Sequence, residues 1–203
     1  MAGLYQARGE YADAEPLLHR ALTIMEAALG PAHASVASIL INLASLYHDQ
    51  GKYADAEPCM QRALTIRKAA LGPTHPDVAL SFNNLAELYR KQGQYAEAEP
   101  RYQLALTIME ATLGPAHPNV ATGLNNLAEL YRQQGKYAEA EPLFQRSFWI
   151  RYARLGKDHP TVAESFANYQ TLLKASGQPH DEKDVMAKLT ASLHAPKIPR
   201  TAP

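Results

Sequence analysis

The sequence repeats itself every 42 residues, and that period restricts the chain to a small set of architectures. Asn83 to Pro100 reads NNLAELYRKQGQYAEAEP; Asn125 to Pro142 reads NNLAELYRQQGKYAEAEP, differing only at Lys91 against Gln133 and Gln94 against Lys136. Gly9, Gly51, Gly93, Gly135 and Gly177 keep the same step, and Tyr11, Tyr53, Tyr95 and Tyr137 follow two places on. The run A-x-A-E-P recurs around Pro16, Pro58, Pro100 and Pro142. His33, His75, His117 and His159 recur in step, three of them followed by proline. Markers that share one period define a tandem array, in which each unit buries its apolar face on the next.

Each unit reads as two helices. The first opens after L-G-P-x-H-P, because proline is tolerated at the first helical position, where its missing N–H would be unpaired anyway. From Pro76 the apolar residues Val78, Phe82, Leu85, Leu88 and Tyr89 follow the three-and-four spacing of one helix face. Gly93 is suited to the left-handed cap that ends it. The second helix is expected from about Tyr95 to Leu113, with Ala98, Tyr102, Ala105 and Met109 inward, until Gly114 and Pro115 break it. No segment alternates with period two, so the fold class is all-α. Pro16, Pro58, Pro100 and Pro142 fall inside the second helix, where each deletes a backbone hydrogen bond and is expected to kink or loosen the first turn.

Columns of small residues set how closely the two helices approach. Ala44, Ala86 and Ala128 are equivalent on first helices, and Ala14, Ala56, Ala98 and Ala140 on second helices. Ala21, Ala63, Ala105 and Ser147 form a further small column. Large partners face them: Leu43, Leu85 and Leu127; Tyr47, Tyr89 and Tyr131; Met60, Tyr102 and Phe144.

These columns resemble the tetratricopeptide repeat (TPR). The 42-residue period, the L-N-N-L-A and A-E-P runs and the L-G-x-x-H-P linker are similar to the long repeats of kinesin light chains and their bacterial relatives. The resemblance covers roughly residues 1 to 177. It implies a right-handed α-solenoid of stacked antiparallel helix pairs, the TPR superhelix. Fold alone leaves the biological role open.

The expected organisation is a single solenoid over residues 1–193, with a partial first repeat at 1–30 and full repeats at about 34–71, 76–113 and 118–155. MAGLYQARG aligns with LAELYRKQG but lacks the two preceding turns, which suggests a piece of a longer solenoid with Leu4 and Tyr5 exposed. A degenerate capping pair is expected at 160–193, where Tyr169 and Gln170 replace the leucine–alanine pair. Its last helix, about Asp181 to Leu193, would turn Val185, Met186 and Leu189 inward. Residues 194–203, rich in proline, are expected to be a flexible tail.

Composition narrows the function classes. Lys and Arg total 20 and Asp and Glu total 20, so no net field favours nucleic acid or an anionic membrane. No apolar stretch approaches the roughly 20 residues of a membrane span, and no signal-like start is present. A single cysteine, Cys59, excludes an internal disulfide and fits a reducing, cytoplasmic setting. The periodic histidines each sit in a linker, so one row cannot converge on an ion at about 2 Å. Their shared job is to close the linker and lead into the next helix. Cys59 has Leu17, Arg101 and Leu143 as its repeat equivalents, and nothing in the sequence holds His48 beside it as a base. Each glycine stands alone, so there is no phosphate loop. No catalytic residue, metal or cofactor is expected.

Positions that vary between repeats point to the ligand face. In stacked helical hairpins the first helices line the concave surface. Its columns would be Ile41, Asn83, Asn125 and Ala167; Ser45, Glu87, Glu129 and Thr171; and His48, Arg90, Arg132 and Lys174, with Leu80 and Thr122 near the helix starts. An asparagine amide can donate to and accept from an extended peptide backbone, and arginines can pair with carboxylates. The kinesin-light-chain resemblance implies that Asn83 and Asn125 contact bound peptide. Asn42, Asn84, Asn126 and Asn168 are expected to tie helices together instead. Glu87 and Glu129 occupy part of the place of the lysine–asparagine clamp of chaperone-binding relatives, so a chaperone tail is not the expected ligand. No heptad segment offers a coiled coil.

The expected function is a non-enzymatic scaffold that binds a peptide or helix of a partner protein in the concave groove. It would be gripped by Asn83, Asn125, Arg90 and Arg132, with Glu87 and Glu129 disfavouring acidic segments and His48, Leu80 and Thr122 at the margins. The alternative is a self-associating segment of a larger protein, stacking end to end by weak homo-association through the incomplete N-terminal repeat.

Overall fold

The computed structural model describes residues 11–194. The expectations for Leu4, Tyr5 and the tail at 195–203 lie outside the described residues. Described residues form helices α1 (Tyr11–Leu29), α2 (Ala34–Asp49), α3 (Tyr53–Leu71), α4 (Pro76–Lys91), α5 (Tyr95–Leu113), α6 (Pro118–Gln133), α7 (Tyr137–Leu155), α8 (Pro160–Ala175) and α9 (Glu182–His194), with no strand among them. They group into two compact units, Met1–Pro115 with α1–α5 and Ala116–Pro203 with α6–α9. Each unit is a stack in which a helix packs on its sequence neighbours, as an α-solenoid requires.

The helix starts follow from the linker chemistry. The N-caps of α2, α4, α6 and α8 are His33, His75, His117 and His159, in extended conformation. Each imidazole Nδ1 accepts the backbone N–H two residues on, at 3.1 Å for Asp77 and Asn119 and 3.2 Å for Ser35 and Thr161. One orphan donor of the first turn is thereby satisfied, a contribution of about 1 kcal/mol per helix. Proline follows the cap in α4, α6 and α8.

The helix ends rely on glycine in two ways. Gly93 has φ 75°, its N–H donates to Arg90 O at 3.0 Å, and Gln94 N–H reaches back to Tyr89 O at 2.9 Å. This paired closure, the Schellman motif, needs a left-handed residue at that point. Gly114 adopts φ 85° and ψ 155°, a region essentially reserved for glycine. Its Cβ would meet nothing within 4 Å, so the requirement is conformational rather than steric. Such glycines alternate every 21 residues from Gly30 to Gly177. Pro16, Pro58, Pro100 and Pro142 are accommodated within unbroken helices. Pro100 is the sixth residue of α5, so only the carbonyl of Ala96 loses its helical donor.

Packing follows the columns. Ala44, Ala86 and Ala128 are sealed, as are Ala14, Ala56, Ala98 and Ala140. In the first unit, Val36, Ala37, Leu40, Ala63 and Ile66 form a core cluster. In the second, Phe144, Phe148, Tyr169, Leu172, Val185 and Leu189 belong to one core.

The last helix departs from expectation at one residue. Val185 and Leu189 are buried, but Met186 is 37% exposed. The reason lies in what α9 docks against. Trp149 Nε1 donates to Leu189 O and Ser192 Oγ, both at 3.1 Å, and Lys188 Nζ donates to Gln178 Oε1 at 2.6 Å. The seated face is therefore 185, 188, 189 and 192, which turns Met186 outward. Asp181 caps the helix, its carboxylate accepting Asp184 N–H at 2.8 Å.

Candidate functional site: the first-helix faces

On α4 and α6 the same pairing recurs one repeat apart. Arg90 Nε and Nη2 donate to the two Glu87 oxygens at 2.9 and 2.5 Å. Arg132 does the same to Glu129 at 2.7 and 2.6 Å. The i,i+3 spacing brings the side chains together on one helix surface, and the two-point fork fixes the guanidinium plane. Both arginines thus meet a carboxylate of their own helix before any ligand arrives.

The two pairs differ beneath. Tyr102 of α5 is fully buried and donates to Glu87 Oε2 at 2.6 Å. Its equivalent on α7 is Phe144, which has no hydroxyl to offer. Glu129 instead accepts Gln133 Nε2 at 2.9 Å. Burial alone would raise the Glu87 carboxyl, but hydrogen bonds from Arg90 and Tyr102, with the charges of Arg90 and Lys91, hold it below its ordinary value. Burial, with the charge and hydrogen bond of Glu87, pushes the Tyr102 phenol far up, so it stays a neutral donor. The Arg90 side chain is only 9% exposed, against 25% for Arg132.

The asparagines are partly committed. Asn83 is 8% exposed, packed into the α4 surface. Asn125 is half-buried, and its Oδ1 accepts Asn168 Nδ2 at 3.0 Å, which stitches α6 to α8. This amide bridge gives Asn168 the tying role expected of its column. It also uses the acceptor of Asn125 inside the protein.

The remaining candidates are peripheral. His48 lies in the last turn of α2, its Nδ1 3.5 Å from Asp49 Oδ1 and its ring 5.5 Å from that of Tyr53. Leu80 is half-buried in α4. Thr122 is exposed on α6, with its hydroxyl 3.4 Å from Pro118 O. Cys59 is half-buried; burial, then the charge of Asp55, pushes its thiol up, which disfavours the nucleophilic thiolate.

Sequence reading missed a second polar system, between repeats. Tyr47 Oη donates to Glu15 Oε1 at 3.2 Å, and Tyr89 Oη to Glu57 Oε1 at 2.8 Å, joining each first helix to the second helix before it. In the last repeat this column holds Leu173, yet the bond survives: Tyr169, one turn earlier, donates to Glu141 Oε1 at 2.7 Å. Leucine and tyrosine have exchanged places in α8. The signal was present, since a buried phenol needs an acceptor.

No helix of the described residues is long and apolar enough to cross a membrane. The tetratricopeptide repeat family model matches residues 1–69, 35–110, 77–153 and 120–188 in overlapping windows. No curated protein matches the chain. The crystal structure of nearly identical TPR-like repeats from Podosopora anserina, assigned to a kinesin light chain, is similar at TM-score 0.76 and 26% identity, over 95% of this chain and 91% of that one. BtubC (BKLC) from P. vanneervenii is similar at TM-score 0.79 and 25% identity, over 100% of this chain and 82% of that one.

Proposed function

Since this chain belongs to the tetratricopeptide repeat family, a scaffold that typically mediates protein–protein contacts, we propose that its first-helix faces bind a segment of a partner protein without catalysis. The observation that carries the reading is a two-point Glu–Arg pair on one first helix of each unit, Glu87–Arg90 on α4 and Glu129–Arg132 on α6. On each face the paired polar group stands one turn from an amide, a pattern that suits the regularly spaced polar groups of an extended backbone. Each fork is net neutral. The favoured ligand is therefore a polar or mixed-charge peptide rather than a strongly acidic one, since a second carboxylate must compete with Glu87 or Glu129 for the guanidinium. Asn83 and Asn125 sit one turn before each glutamate. Asn125, whose acceptor is already given to Asn168, would donate its amide to a peptide carbonyl. Asn83, only 8% exposed, would meet the peptide at its edge. Arg132, more exposed than Arg90 and without a tyrosine bracing its glutamate, is the cation best placed to turn to a ligand.

Peptides selected from a random display library against the full chain, then titrated by calorimetry, test this. Arg132→Gln is expected to weaken binding by about tenfold, the loss of one charge-assisted contact. Asn83→Ala/Asn125→Ala is expected to weaken it further, with circular dichroism confirming retained helix. Affinity unchanged in both variants would remove these faces from the binding account.

A further inference from the structure

A chain that writes one passage twice meets a folding hazard that a unique sequence does not. From residue 83 to the helix end, α4 and α6 differ only at Lys91 against Gln133. A preceding helix that docked on the wrong copy would skip a hairpin, a misassembly to which repeat chains are prone. The entropy of closing the longer loop is a weak safeguard, because it grows only slowly with length. The two helices do differ just before the shared passage: Ser81 and Phe82 on α4 stand where α6 has Gly123 and Leu124.

Helix α3 touches both differences. Arg67 Nη1 donates to Ser81 Oγ and to the backbone oxygen of Asp77, both at 3.1 Å. Ser81 Oγ gives its own proton to Asp77 O at 2.9 Å, so its lone pairs are left to accept from the guanidinium. Beside it, Lys68 Nζ lies 5.7 Å from the centre of the Phe82 ring, within cation–π reach. A glycine and a leucine offer neither the hydroxyl nor the ring.

Stacking does not require this arginine. Met25 and Met109 hold its place in other repeats, and the first helices that follow them carry Leu40 and Leu124. Arginine returns at Arg151, and phenylalanine returns with it at Phe166. Arg151 is 7% exposed and donates to Ser165 Oγ at 2.6 Å; burial pulls it below its ordinary pKa, against the opposing charge of Glu164. Exchanging a buried cation for an apolar residue of similar volume is often neutral or stabilising. A group that a methionine can replace, yet that depends on one hydroxyl of one helix, contributes a difference between partners more than strength.

We propose that Arg67 and Lys68 read Ser81 and Phe82, so that α3 docks on α4 and rejects its near-duplicate α6. On α6 the guanidinium would find Gly123 in place of the hydroxyl, and the ammonium would find Leu124 in place of the ring.

Refolding the full chain from urea, with pulsed deuterium labelling and mass spectrometry, tests this. A skipped α4–α5 hairpin would lack neighbours and exchange freely, giving peptides from 76–113 a second isotope envelope. Arg67→Met is expected to raise the share of that envelope at least about fivefold, the effect of one lost charge-assisted hydrogen bond on the choice of partner. Its urea midpoint should stay level or rise. Ser81→Ala, which removes only the acceptor, should raise the envelope as well. Arg151→Met makes the same change beside α8, which has no duplicate, and should leave the envelope at the parent level. A rise in neither Arg67→Met nor Ser81→Ala overturns the proposal, as does an equal rise in Arg151→Met. A lower midpoint for Arg67→Met with a single envelope would also overturn it, since the arginine would then only strengthen the joint.

Discussion

At the scale of single residues, the chain carries its own control experiment in Tyr102 and Phe144. Both are sealed in equivalent places, and only Tyr102 bonds a glutamate. Tyr102→Phe is therefore expected to pack without strain and to cost about 1.5–3 kcal/mol, the range for a hydrogen bond to a charged group. The cost depends on pH. The folded carboxyl of Glu87 lies below its ordinary value of 4.5, so the stability it contributes is complete above that value and is lost as pH falls through the folded one. Removing the tyrosine donor brings the folded value back toward the unfolded one. Urea unfolding of the two proteins should show the widest gap near neutrality and converge on acidification; a gap independent of pH would mean the bond does not favour the carboxylate. Sequence columns could not show this, because they treat residues one at a time. Arg90 and Glu87 were each legible as polar surface positions. That three residues of spacing makes them satisfy one another first is a statement about a pair.

At the scale of helices, most of the plan was readable because the punctuation is repeated. Proline after a histidine cap and glycine at each turn fix the ends of α4 and α5, and α5 runs over Tyr95–Leu113 as the spacing implies. What the spacing did not reveal was which face α9 presents. Met186, Val185 and Leu189 have similar hydrophobicity, and the choice is made by Trp149 reaching across from α7. The exchange of Leu and Tyr in α8 was hidden for the same reason: it looks like decay of the consensus until Glu141 is placed beside Tyr169. That exchange makes a prediction. Tyr169→Leu should destabilise the second unit by about 1–3 kcal/mol, since the part-buried Glu141 carboxylate loses its shortest donor and keeps only the longer ones from Lys188 and Gln145. Adding Leu173→Tyr to it should recover part of the loss by restoring the arrangement of α2 and α4. Thermal unfolding that ranks the double variant below the single one would show that the two arrangements are not interchangeable.

At the scale of the whole molecule, stability in stacked repeats is close to a sum of nearest-neighbour terms, so damage should remain local. The α9 helix depends on Trp149 and Lys188 for its seat. Trp149→Phe keeps an aromatic ring but removes both indole hydrogen bonds. Amides of residues 182–193 are expected to exchange about fivefold faster, corresponding to about 1 kcal/mol of local opening, while those of α2 to α4 stay unchanged. Exchange that rises uniformly through the chain would instead indicate a single cooperative unit.

The glycine joints fall at a constant interval and always in the same two alternating geometries. A splice made anywhere in the near-duplicate passages at 83–100 and 125–142 therefore removes or inserts one complete helical hairpin and leaves both junctions chemically as they were. Length in this protein is consequently a cheap variable: it can lengthen or shorten by whole paragraphs without rewriting a sentence.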